Sequence, residues 1–141
     1  MLFMMIDDSK YSHSDCMEGI AVQKKKRNFV DSFRDAMAGI FHCLMNERNM
    51  RTHFVAGILV FIASIYFKLP GVEIAIICIT VGMVIMSELI NTAIENTVDL
   101  VTDEIKPLAK IAKDVSAGTV LLAAFTAVLV GVSLFMPKLL K

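Results

Sequence analysis

Glu88, Asn91, Glu95 and Asp99 recur at intervals of three and four residues in the segment Glu88-Leu89-Ile90-Asn91-Thr92-Ala93-Ile94-Glu95, which continues to Asp99 and Asp103. At 3.6 residues per turn these four side chains fall within roughly 80° of arc, and Ile90, Ile94 and Val101 take the opposite side. Three carboxylates and an amide on one stripe can grip a divalent cation, accept a proton, or line a path for protons or ions. A helix end emerging into water also carries acids, but it would scatter them around the axis.

The surrounding residues set the depth of this stripe. Ile74 to Ser87 is uncharged and lies between Glu73 and Glu88. A rise of ~1.5 Å per residue puts Glu88 about 22 Å from Glu73, inside a hydrocarbon slab but near one face. An acidic side chain near the middle of a spanning helix costs roughly 2.5 to 3.5 kcal/mol on insertion scales. Neighbouring like charges add to that cost unless a cation is shared or one carboxyl keeps its proton. A bound divalent metal is the simplest remedy. Glu47 raises the same question: on an unbroken helix from Phe29 it points along the apolar face, where a carboxylate needs a partner, whereas a bend before it frees it to solvent. Lys110, Lys113 and Asp114 share one helical face in the connection that follows the stripe. Lys113 there can offset phosphate charge, and Asp114 can hold a ribose, an adenine amine or Lys110.

The elements that must position these groups are helical and mostly membranous. The chain has 141 residues, of which 56% are hydrophobic and 20% charged. It is too apolar for an ordinary small soluble domain. Residues 1–28 have no sustained apolar period and read as a flexible tail. Over 29–47, Phe29, Phe33, Ala36, Met37, Ile40 and Leu44 share a face opposite Asp31, Arg34, Asp35, His42 and Asn46, the pattern of an amphipathic helix on a bilayer surface. Three spans follow, at about 50–69, 72–102 and 107–137; the first stops at Lys68-Leu69-Pro70-Gly71 and the third begins at Pro107. The class is an all-α membrane protein with three transmembrane helices plus an N-terminal surface helix. Basic residues crowd the tail, the surface helix and the second connection, leaving Lys68, Lys138 and Lys141 on the other side. The positive-inside rule therefore places the N-terminus and the acidic stripe on the cytoplasmic side of the cell membrane. Net charge is zero and gives no support for a nucleic-acid partner. Cys16, Cys43 and Cys78 lack metal-like spacing. No phosphate-binding glycine loop or protein-kinase signature is present, so any ATP site is of another design.

Taken together, Asn46-Glu47-Arg48-Asn49 with Arg51, the block from Glu88 to Glu95, Asp99, and Ala112-Lys113-Asp114 resemble the prokaryotic diacylglycerol kinase family, including its undecaprenol kinase branch. The resemblance covers Asp31 to Lys141. It implies a homotrimer with active sites shared between neighbouring chains, and phosphorylation of a lipid alcohol by ATP with Mg²⁺. Carried over by position, Glu88 matches the general base, Glu47 and Glu95 the metal ligands, and Lys113 and Asp114 the nucleotide contacts. Asn91 and Asp99 match polar positions that support the site, and Glu104 and Lys106 fall where the family approaches the nucleotide. Arg51 and His53 are assigned to the lipid substrate. The run Glu47-Arg48-Asn49-Met50-Arg51-Thr52-His53 looks more like the undecaprenol branch, since the diacylglycerol branch tends to have an acid where His53 stands. Undecaprenol is thus the favoured substrate and diacylglycerol the alternative; an ion-conducting bundle, which needs no nucleotide, is the rival of another class.

Overall fold

The computed structural model describes residues 28–101, 104 and 106–140. The expected tail lies almost wholly outside the described residues. Those residues form four helices: α1 (Phe29–Asn46), α2 (Arg48–Tyr66), α3 (Gly71–Val101) and α4 (Pro107–Leu139). The last three are long and apolar enough to cross a membrane, as the all-α membrane reading expects. The chain divides into two units, Met1–Ala36 and Met37–Lys141; every contact of the site lies in the second.

α1 ends without glycine or proline because side chains take over its last carbonyls. Asn46 Nδ2 donates to the His42 carbonyl at 2.8 Å, and Arg51 Nη1 donates to that of Met45 at 3.2 Å. Of the two, only the Met45 carbonyl is among the last four of α1, which a helix end leaves without intrahelical partners. Glu47 then turns extended, with φ −92° and ψ 123°, and α2 starts at Arg48. The surface helix therefore stops one residue short of the expected 29–47, and Glu47 sits in a bend rather than on a continuous apolar face. It is half-buried there.

α2 ends in a tight hydrogen-bonded turn. Phe67 N donates to Ala63 O, Lys68 N to Ile65 O and Leu69 N to Ser64 O. The last two bonds form a Schellman motif whose left-handed position is Lys68, at φ 49°, with Leu69 buried beneath it. Four residues thus reverse the chain before α3. α3 packs against both α2 and α4, most extensively against α4. Its approach to α2 is close: a Cβ added at Gly57 would stand 2.9 Å from Val81 Cγ1. α4 opens with Pro107, which needs no N–H there. It runs past the expected end because Pro137 falls in its last turn, where a missing N–H breaks only one bond.

Burial is inverted relative to a water-soluble bundle. Ser64, Glu88, Asn91, Thr92 and Ser116 are buried, while Ile58, Leu59, Ile62, Leu121, Leu122 and Phe125 are exposed. A bilayer explains both halves of this pattern. Lipid tails satisfy leucine as well as a protein core does, whereas polar groups must be paired inside the protein.

Two substitutions test these constraints. Gly57→Ala should destabilise by about 1–3 kcal/mol through overpacking against Val81. Lys68→Gly should stabilise by about 1 kcal/mol through relief of the left-handed backbone. Reversible denaturation in mixed micelles measures both.

Candidate active site

α3 presents its polar stripe toward α2 on one side and α4 on the other. Glu88 is 2% exposed, and its Oε1 lies 3.3 Å from Nε2 of His53 on α2. That contact has ion-pair distance but not hydrogen-bond geometry, so Glu88 Oε1 is buried without a hydrogen bond. A buried carboxylate oxygen in this condition is costly unless a ligand or a proton completes it.

One turn along, at Asn91, α3 is joined to α4 by a chain of hydrogen bonds. Asn91 Nδ2 donates to Glu95 Oε1 at 3.0 Å, and Ser116 Oγ donates to Asn91 Oδ1 at 2.7 Å. Asn91 and Ser116 are 7% and 2% exposed. Toward the connection, Lys113 Nζ lies 2.5 Å from Asp99 Oδ1, with side chains 37% and 61% exposed, and Lys110 pairs with Asp114 one helical turn away. Lys113 and Asp114 thus come with acidic or basic partners at the wetter end of the stripe.

These groups open into a cavity of about 360 Å³ lined by Asn49, His53, Glu88, Asn91, Glu95 and small or apolar residues of α4. A second cavity of about 350 Å³, lined by Gly57, Val60, Val81, Val84 and Val128, shares His53 and Ala124 with the first. The acidic space therefore adjoins an apolar one within the spanning helices. A reactant with a polar head and an oily body fits such a pair of spaces.

Several sequence-selected residues are thus brought together: His53, Glu88, Asn91 and Glu95 around the cavity, Asp99 with Lys113 beyond it. Others are not. Arg51 bonds to the α1 end rather than lining the cavity, and Glu104 and Lys106 sit 3.7 Å apart in the exposed connection. Sequence reasoning missed Ser116, although it is the first polar residue of the uncharged run and falls one turn beyond Lys113. Among the described residues no three His, Cys, Asp or Glu side chains are gathered as a metal group. Glu88 and Glu95 line the cavity, whereas Glu47, at the α1–α2 bend, is not among its lining residues. Carboxylate oxygens such as those of Glu88 and Glu95 fit Mg²⁺, which commonly takes one or two carboxylates and completes its shell with phosphates and water.

Residues 34–135 match the family model described as prokaryotic diacylglycerol kinase. The chain belongs to the prokaryotic diacylglycerol kinase family. One relative in it is a protein of Synechocystis sp. named diacylglycerol kinase, 44% identical over 115 residues, which cover 81% of this chain and 66% of that protein. Another, from Bacillus subtilis, is named undecaprenol kinase and is 42% identical over 111 residues, covering 79% of this chain and 90% of its own length. Family membership accounts for a lipid-facing bundle that keeps its polar residues inside.

The two parts of the stripe should respond differently to substitution. Asn91→Ala removes the middle of a buried chain and should cost about 1–3 kcal/mol of stability. Asp99→Asn, in an exposed pair, should change it by less than about 1 kcal/mol. Denaturation midpoints of the two variants, measured side by side, check the contrast.

Proposed function

We propose that this protein transfers the γ-phosphoryl group of ATP to the hydroxyl of a membrane lipid alcohol, with undecaprenol preferred over diacylglycerol. The observation that carries this reading is Glu88: a buried carboxylate with an unbonded oxygen, at the junction of a polar and an apolar cavity. The lipid hydroxyl oxygen forms a bond to the γ-phosphorus as the bond from that phosphorus to the β,γ-bridging oxygen breaks. The hydroxyl proton passes to Glu88, and ADP leaves. Such a transfer needs in-line placement and neutralisation of phosphate oxygens more than covalent help from the protein.

The division of labour follows from position. Glu95, steadied by Asn91, and Glu47 at the α1–α2 bend would hold Mg²⁺, which when bound would supply charge neutralisation for the triphosphate. Lys113 and Asp114 meet the nucleotide at the wetter end, with Asp99 holding the lysine until phosphate competes for it. Glu104 and Lys106 border the nucleotide from the connection. His53 lies where the lipid head meets Glu88, and Arg51 steadies the bend beside it. The basic residues before α2 and in the α3–α4 connection support a cytoplasmic position for this end and for the N-terminus. The resemblance to the family, rather than the apolar faces, supports assembly into a homotrimer.

The run Glu47 to His53, which looks more like the undecaprenol branch, supports the polyprenol preference. Identity of 44% to a protein named diacylglycerol kinase favours diacylglycerol as the second reading.

Purified protein with radiolabelled ATP and both lipids tests the proposal. Labelled polyprenyl phosphate should form faster than labelled phosphatidate, and label in neither lipid would overturn the kinase reading; faster phosphatidate would overturn the preference. Glu88→Gln should keep its fold and lose turnover by roughly 10²–10⁴-fold, the usual worth of a positioned base. Chelation of Mg²⁺ should abolish label transfer.

A further inference from the structure

The hydrogen-bond chain between α3 and α4 constrains the amide of Asn91 more tightly than its neighbours require for packing. Glu95, as a carboxylate, can only accept hydrogen bonds, so Asn91 must offer it Nδ2. That orientation turns Oδ1 toward α4, into a space where Asn91 is 7% exposed and water has little access. An acceptor there needs a donor. Ser116 Oγ is that donor, 2.7 Å away and 2% exposed. The same hydroxyl lies 2.9 Å from the carbonyl of Lys113, but it has one proton to give. Giving it to Asn91 fixes the amide; giving it to Lys113 leaves the amide free to flip and set oxygen against oxygen at Glu95.

We propose that Ser116 is a positioning residue for the cation site: its hydroxyl holds the Asn91 amide in the one orientation that supports Glu95 as a ligand. This inference rests on the phosphoryl-transfer reading above, in which Glu95 holds the divalent ion. Ser116 is not among the residues that line the cavity. It acts across the α3–α4 interface through a single intermediate side chain, and it ties the turn carrying Lys113 to the turn carrying Glu95. Groups that support a metal ligand in this way are typically worth 10–100-fold in metal affinity or activity.

The test uses the purified full-length protein in detergent with Mn²⁺ and a non-hydrolysable ATP analogue, the free Mn²⁺ being read by its paramagnetic resonance signal. Ser116→Ala should weaken Mn²⁺ binding about 10- to 100-fold. Its KM for lipid should stay within about twofold, because the lipid end of the cavity is untouched. Ser116→Cys keeps the volume with a weaker donor and should fall between wild type and alanine. A residue that only fills space predicts wild-type Mn²⁺ affinity in the cysteine variant, and that result overturns the proposal even if Ser116→Ala fails to fold. Wild-type Mn²⁺ affinity in a folded Ser116→Ala protein overturns it equally. In both cases label transfer by the wild-type protein still stands, so the kinase reading survives. If the wild-type protein itself neither binds Mn²⁺ with nucleotide nor labels a lipid, the kinase reading falls, and the role of Ser116 falls with it.

Discussion

A carboxylate carried inside a spanning helix has to find polar company within the protein, because the hydrocarbon around it offers none. Glu88 sets this condition for the whole chain. Its depth on α3 decides that α2 must bring His53 to it and that the same face must continue with Asn91, Glu95 and Asp99 until the helix leaves the apolar layer. The adjoining cavities occur where these demands meet the small residues of α2 and α4. What would be a defect in a water-soluble bundle, a buried oxygen with no hydrogen bond, here lies on the wall of a polar cavity.

The means of holding the helices together follow from the same solvent. Burying leucine against leucine gains little when the alternative is a lipid tail, so association has to come from close backbone approach and from polar bonds between helices. The chain uses one device on each side of α3. Toward α2, Gly57 lets Val81 come near enough that no side chain fits between them. Toward α4, Ser116 and Asn91 form a buried bond between residues 25 apart in sequence. Both place polar groups of the site while holding the scaffold, so fold and chemistry share residues.

Much of this was legible in the residue order. The three apolar runs announce the spans, and the three- and four-residue spacing from Glu88 to Asp99 announces a single polar face, because helical periodicity is a local property. Residues that depend on a crossing were not legible. The proximity of His53 to Glu88 requires the α2–α3 angle, and the role of Ser116 requires the α3–α4 register; neither leaves a local trace. Glu47 shows a different limit. No glycine or proline marks the bend there; Arg51 reaches back across it to the Met45 carbonyl, a contact that is recognisable only when its target is seen.

The four-residue turn from Phe67 to Pro70 has a mechanical consequence. The hydrogen bonds donated within that turn all close back onto the end of α2, so the turn fixes the direction in which α3 sets out, and farther along Gly57 lets Val81 come close. His53 lies 14 residues from Phe67, about 20 Å at the helical rise, so a change of about 5° in the angle set at the turn would move it by roughly 2 Å relative to α3. The 3.3 Å separation of His53 from Glu88 is therefore governed at a lever arm's length, by a turn that contains neither residue.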